Sequence, residues 1–270
     1  MNLQLMLTKK LVPGSKAPDL SMVILDGKHR QSFYEHVIQQ YKKGWDTQGD
    51  WYKQMFDRYY TANVQEHGVY RSIEAQTQSP LLIGGGQQTV LEAHITLHKT
   101  YGVPYIPGTA LKGVSARLCR TYLGEQDQGF AEDGAYYKWL FGAQEQAGHI
   151  HYYDAFLTPG TVSGALRIDV LTPHHQAYNQ LAAQGPGNTA GRTAEEAAAP
   201  RDDDSPEPVH FLTVQGCFRL MWSYTGPDDS VEKWLTMAEK LLCTALGEEG
   251  LGGKTNAGYG RLVASEEGSR

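Results

Sequence analysis

Five glycines fall within the eleven residues Gly250 to Gly260, in the run Gly-Leu-Gly-Gly-Lys-Thr-Asn-Ala-Gly-Tyr-Gly followed by Arg261. Glycine loses more conformational freedom on folding than any other residue. So dense a cluster therefore marks a backbone that turns sharply or approaches something closely. Lys254 and Arg261 bring positive charge, and no acid occurs from Gly250 to Ala264. Such a loop offers bare amides and cations to an anion, phosphate being the first choice. Gly253-Lys254-Thr255 supplies the last three letters of a nucleotide-binding P-loop, but position 248, where the motif needs its first glycine, is Glu248. A P-loop also follows a strand and opens a helix. This loop follows a helical pattern and runs into a short apolar strand, Arg261-Leu-Val-Ala264. A glycine-rich turn holding no ligand is the plain alternative.

The net charge of −6 argues against a polyanion partner until its distribution is considered. Between Ala183 and Pro208 stand six acids and two bases, so this Gly-, Ala- and Pro-rich stretch carries −4 by itself. It reads as a surface insertion without apolar periodicity. Conversely, Ala93 to Gly124 contains no acid but holds Lys99, Lys112, Arg117 and Arg120. Asymmetry of this kind marks a partner surface better than the sum does.

Within that stretch, Pro107 forbids an earlier helix, Thr109 is a suitable N-cap and Gly124 a suitable stop. Leu111, Val114, Leu118 and Tyr122 share one face, and Lys112, Arg117 and Arg120 lie on the other. One face is expected to pack on a sheet while the other is cationic, with the helix N-terminus adding partial positive charge. A merely solvated basic face is the alternative.

Elsewhere the pattern is mixed. Residues 1–31 scatter basic residues among prolines and glycines and suggest an extended arm. Ser32-Phe-Tyr-Glu35 has the form of a capping box, and Phe33, Tyr34, Val37, Ile38 and Tyr41 recur at helical spacing. A second helix is expected from about Asp50, with Tyr52, Met55, Phe56, Tyr59 and Tyr60 on one side, as core or subunit interface. Strands are predicted over Val69 to Ile83, Val90 to Leu97, His149 to Leu157, Leu166 to Leu171 and Val209 to Tyr224, the last with a bulge at Gly216. Tyr136 to Phe141 reads as a short helix. Asp229 to Glu232 caps a final helix whose apolar face runs Val231, Trp234, Leu235, Ala238, Leu241, Leu242, Ala245, with Gly247 ending it. Cys119, Cys217 and Cys243 lie far apart, which fits inert thiols in a reducing cytoplasm. No apolar run reaches the roughly 18 residues of a membrane helix, and the N-terminal charges follow the apolar residues, opposite to a signal peptide. His174 and His175 stand beside the strand that holds Asp169. Adjacent histidines on an extended chain point apart, so a metal or cofactor is not expected there.

The order strand, basic helix, strands, helix, strand suits an α+β, ferredoxin-like antiparallel sheet with helices on one face, as in RNA-recognition modules, plus an N-terminal helical elaboration. The expected organisation is 1–68 arm and helices packed on the core, 69–264 core with the acidic insertion at about 183–208, and 265–270 tail. Ile106-Pro-Gly-Thr-Ala-Leu-Lys-Gly113 with Arg117, Gly250 to Arg261, Ser79 to Gly84 and Asp169 to His174 together resemble motifs of the RAMP superfamily of CRISPR proteins. The likeness is strongest to the sixth-subunit family of the type III-B (Cmr) effector complex. It spans about residues 69–264. The resemblance implies a non-catalytic, cytoplasmic backbone subunit that binds CRISPR guide RNA near its 3′ end. Such a subunit touches other RAMP and small helical subunits, meets target RNA indirectly, and needs no membrane, metal or cofactor. The expected RNA contacts are Lys112, Arg117, Arg120, Gly252, Gly253, Lys254, Thr255, Gly258, Tyr259, Arg261 and His174. The alternative is a metal-independent endoribonuclease using His94, His98, His174 or His175.

Overall fold

The computed structural model describes residues 2–8, 29–67, 69–85, 95–172, 208–227 and 230–264. His94, His174, His175, Asp229, most of the 90–97 strand and nearly all of the acidic insertion lie outside them.

The chain divides into two compact units, Met1–Arg167 with Leu212–Arg270, and Ile168–Phe211. In the first, five strands run in the order β10 (Leu262–Ala264), β1 (Tyr70–Thr77), β9 (Cys217–Tyr224), β6 (Ala155–Leu157), β2 (Tyr105–Ile106), with β5 (Ile150–Tyr152) also on β9. Every pairing is antiparallel. This mixed α+β, antiparallel architecture is the class expected from the sequence. The short pair β3 (Gly142–Ala143) and β4 (Gln146–Ala147), which follows the short helix α4 (Ala135–Phe141), stands apart from the sheet.

β9 is central, and its alternation explains why. Phe218, Leu220, Trp222 and Tyr224 are all buried. Trp222 donates its indole N–H to the Leu235 carbonyl of α5 (Val231–Thr244). The opposite face is also covered. Arg219 lies 4.9 Å from the Phe56 ring centroid and 5.5 Å from that of Tyr60, both on α2 (Arg30–His67), and pairs with Glu74 at 2.8 Å. Tyr60 donates to the Arg219 carbonyl at 2.6 Å and accepts from the Phe156 amide. Tyr52 donates to the Leu157 carbonyl. The N-terminal aromatic stripe is therefore core: Phe33, Tyr34, Val37, Tyr41, Trp45, Tyr52, Phe56 and Tyr60 are buried.

The two helices expected here are present: α2 is two helical segments meeting at a kink, where Gln48 has non-helical dihedrals beside Gly49, just before the expected second start at Asp50. Three local expectations change. α2 begins at Arg30 rather than at a Ser32 cap, and Ser32 Oγ instead donates to the His29 carbonyl. Residues 3–8, read as part of an extended arm, form α1 (Leu3–Thr8). Its Asn2 side chain accepts from the Gln4 amide and donates to the Lys99 carbonyl. Val209 to Tyr224 is two strands, β8 (Val209–Val214) paired with β7 (Leu166–Leu171), and β9 in the main sheet. Gly216, at φ +156, makes the break instead of a bulge inside one strand.

The bulge sits elsewhere. Tyr152 faces Trp222, but Phe156 faces Arg219, so four steps along one strand match three along the other. The extra residue bends the chain at Tyr153-Asp154 and splits the predicted His149–Leu157 strand into β5 and β6. The next helix depends on it.

Candidate nucleic-acid interface

Pro107, at φ −61 and ψ 138, hands the chain from β2 into α3 (Gly108–Leu118). Gly108 is required by packing, because a Cβ there would stand 2.3 Å from the Tyr152 carbonyl oxygen. The bulge delivers Asp154, whose Oδ1 accepts the Gly108 amide at 2.8 Å. A carboxylate thus caps the helix N-terminus from 46 residues away, so that terminus is not a vacant anion site and Thr109 is not its cap. Leu111 and Leu118 are buried as expected, while Tyr122 is 54% exposed. The cause is a wide π-helical turn at Cys119–Leu123. It turns Cys119 inward and rotates Tyr122 out.

The cations fare differently from the acid-free reading. Arg117 Nε lies 3.2 Å from Glu249, and Arg120 lies 3.2 Å from Glu132. The stretch lacks acids of its own, but the fold brings them from distant segments. Lys112, half-buried, and Lys254, exposed, have no ion-pair partner among the described residues. Gly113 beside Lys112 is helical, and no described atom lies within 4 Å of where its Cβ would sit. Gly113→Ala should stabilise the chain by about 0.5–1 kcal/mol, because alanine restricts the unfolded backbone more. Urea denaturation measures this.

α5 continues through Gly247 into a second π-helical turn, Ala245–Glu249, and ends at Gly250, φ +77. That turn presents Glu249 to Arg117, so α3 and the base of the glycine loop stand side by side. Within the loop Gly250, Gly252, Gly258 and Gly260 all have positive φ. Most of its glycines serve the protein itself. Gly252 approaches the Leu82 carbonyl, where a Cβ would be at 2.4 Å, and the Gly253 amide donates to the same carbonyl. The Gly260 amide donates to the Pro80 carbonyl and the Leu251 amide to the Gly260 carbonyl. The Arg261 amide donates to Ser79 Oγ, and its guanidinium to the Gly247 carbonyl. The Ser79 to Gly84 and Gly250 to Arg261 motifs are therefore one structural unit.

An unspent group remains at the apex. Lys254 holds φ +60, the only left-handed non-glycine among the described residues. The amides of Gly252, Lys254, Thr255 and Asn256 donate to no described protein acceptor, whereas that of Tyr259 donates to the Lys254 carbonyl. Gly258 is exposed, with open space where its Cβ would be. Thr255 and Tyr259 are half-buried. Burial pushes the thiols of Cys119, Cys217 and Cys243 up to about 11, with Glu74 adding to the effect at Cys217 and Glu239 at Cys243. All three stay protonated at neutral pH.

Two further clefts escaped the sequence reading. One, of about 440 Å3, lies between the end of α3 and α5 and is lined by Leu118, Tyr122, Leu123, Met237 and Leu241 among others. The other, of about 520 Å3, lies between the second half of α2 and the His98 to Tyr101 turn. His98 sits in it, its Nδ1 accepting the Tyr101 amide and its ring stacked on Tyr101 at 4.6 Å. Burial lowers its pKa, opposed by Asp154, so the ring is neutral at pH 7. No helix among the described residues is long and apolar enough to cross a membrane.

Residues 74–263 match the RAMP superfamily, and the chain belongs to it. The matched span holds most of the sheet, α3 and the glycine loop. Among curated relatives, the CRISPR system Cmr subunit Cmr6 of Pyrococcus furiosus is 28% identical over 240 residues, covering 70% of this chain and 66% of its own length. The CRISPR system CMR subunit Cmr6 of Saccharolobus solfataricus is 24% identical over 251 residues, covering 89% of this chain and 74% of its own. A chain in the cryo-EM structure of the Type III-B Cmr-beta bound to cognate target RNA is similar in fold, with a TM-score of 0.57 at 19% identity, covering 94% of this chain and 82% of that one. The two curated relatives agree with the sixth-subunit resemblance carried by the sequence motifs.

Proposed function

We propose that this chain is a non-catalytic, RNA-binding structural subunit of a type III-B CRISPR ribonucleoprotein. In that reading it holds guide RNA near the 3′ end and touches neighbouring RAMP and small helical subunits in the cytoplasm. Membership of the RAMP superfamily and the names of the relatives support the assembly. One observation supports the RNA contact. Lys254 is held left-handed at the apex of the glycine loop, without an acidic partner among the described residues, beside four amides that serve no described protein acceptor. Successive free amides beside a cation form a concavity suited to a phosphate. Lys112, on the helix beside the loop's base, supplies a second free cation. Arg117 and Arg120 are neutralised by Glu249 and Glu132 and contribute less. His98 is spent on stacking and on the Tyr101 amide, which favours a binding role over an acid–base one.

Complexes assembled with Lys112→Glu/Lys254→Glu are expected to lose guide RNA that the wild-type assembly retains. Guide affinity should fall with salt, and each lysine removed should reduce the slope of log affinity against log salt by roughly 1. Unchanged retention with an unchanged slope would overturn the reading. The same assemblies, given labelled guide precursor, should leave it uncut.

A further inference from the structure

The geometry points to a second contact with RNA: the cleft between α2 and the His98 to Tyr101 turn is a stacking slot for one unpaired nucleobase of single-stranded RNA. It deepens the RNA-binding reading and rests on it only for where the base comes from.

Flat rings form its walls. His98 and Tyr101 are stacked with centroids 4.6 Å apart and 20° between planes. Trp51 meets Tyr101 at 5.3 Å and 65°, and is 48% exposed. Buried Phe156 lies 5.6 Å from His98 at the floor. The opening of about 520 Å3 is ample for a base, and none of its ten lining residues is acidic. Two polar side chains on one flank of α2, Gln54 and Arg58, are exposed and have no hydrogen-bond or ion-pair partner among the described residues. Residues four apart on a helix are neighbours on its surface. A glutamine amide offers donor and acceptor in one plane, which matches a base edge. A guanidinium stacks on a ring or pairs with the phosphate that follows it. Every base has a π-face, so such a slot tolerates sequence. An apolar peptide side chain would fill the volume but leave Gln54 and Arg58 unanswered, which is why a base fits better. The cleft beside α5 lacks these features, since Tyr122 is the one aromatic ring in its lining and the acidic Glu248 is part of it.

The test separates this slot from the phosphate surface. Purified full-length chain is mixed in turn with the four ribonucleoside monophosphates, and saturation-transfer NMR is recorded. Transfer should reach the base protons more than the ribose protons, and should be lost in Tyr101→Ala and in Gln54→Ala. Lys112→Glu/Lys254→Glu removes the proposed phosphate surface, so base-proton transfer that persists in this variant reports the slot alone. With guide RNA carrying 2-aminopurine at successive positions, one position should be quenched on binding and released in Tyr101→Ala, with at least about a fivefold loss of affinity for the strand. Tyr101→Phe should retain both signals. If Tyr101→Ala does not fold, Gln54→Ala, at an exposed site, decides. Monophosphate transfer in a chain that fails to hold guide RNA would support the slot and sink the larger reading. No transfer from any of the four, or transfer equal in wild type and Gln54→Ala, would overturn the slot. So would shielding of Trp51 by a neighbouring subunit in an RNA-free assembly.

Discussion

Gly260→Ala is expected to destabilise the protein by at least ~2 kcal/mol and to abolish salt-sensitive RNA binding even where the chain remains folded. The residue sits at φ +77, and a Cβ built on it would stand 2.0 Å from the Leu251 carbonyl oxygen, far inside contact distance. A left-handed L-residue alone costs about 1–2 kcal/mol, and the backbone must also shift to relieve the clash. That shift has consequences, because Gly260 joins three segments. Its amide donates to the Pro80 carbonyl at 2.9 Å, its carbonyl accepts from the Leu251 amide at 2.8 Å, and the amide of Arg261, the next residue, donates to Ser79 Oγ at 3.0 Å. Moving it moves Lys254 and the unspent amides with it. Gly258→Ala is the control. It shares a positive φ, +87, but has open space around its Cβ, so it should cost only about 1 kcal/mol. Denaturant midpoints for the two variants should differ in that order. Equal midpoints would mean that the loop's base does not constrain its tip.

Trp222→Ala should cost about 3–5 kcal/mol, the range for removing a large buried aromatic. Trp222 is fully buried at the centre of β9, opposite Arg71 on β1 and Tyr152 on β5, and its indole N–H reaches the Leu235 carbonyl. Its loss opens a cavity where sheet and α5 meet and removes the indole donor to the buried Leu235 carbonyl. A fall in Tm of roughly 10 °C follows for a chain of this size. Thermal unfolding followed by circular dichroism measures it. A fall of only one or two degrees would show that the α5 face is less tightly packed than the structure has it.

Periodicity by itself located much of the fold. Trp234, Leu235, Ala238, Leu241 and Leu242 are buried as their spacing on α5 foretold, and the Phe33 to Tyr60 stripe packs inward. Both are local: a helix repeats every 3.6 residues whatever it packs against. The motifs that carry the superfamily resemblance are likewise contiguous, and so were legible in one dimension. The helix break near Asp50 was legible too, and Gly216 was legible as an irregularity though not as a change of sheet; the Tyr153-Asp154 bulge was not, because it is imposed by which strand lies alongside.

Charge was the least legible property. Arg117 and Glu249 are 132 positions apart, yet 3.2 Å separates them in space; Asp154 reaches Gly108 across 46 residues. An acid-free stretch in sequence therefore did not mean an acid-free surface. The glycine loop divides the same way. Its composition announced a strained, closely approached backbone, and the positive φ values show it. The fold alone decided what approaches: Leu82 and Leu251 press on Gly252 and Gly260, while Lys254, Asn256, Ala257 and Gly258 are exposed. The amino-acid order determined the class of protein, its helices and the segments that matter. The tertiary structure decided which of their charges and amides are already spent within the molecule, because electrostatic and steric partners are chosen by distance in space.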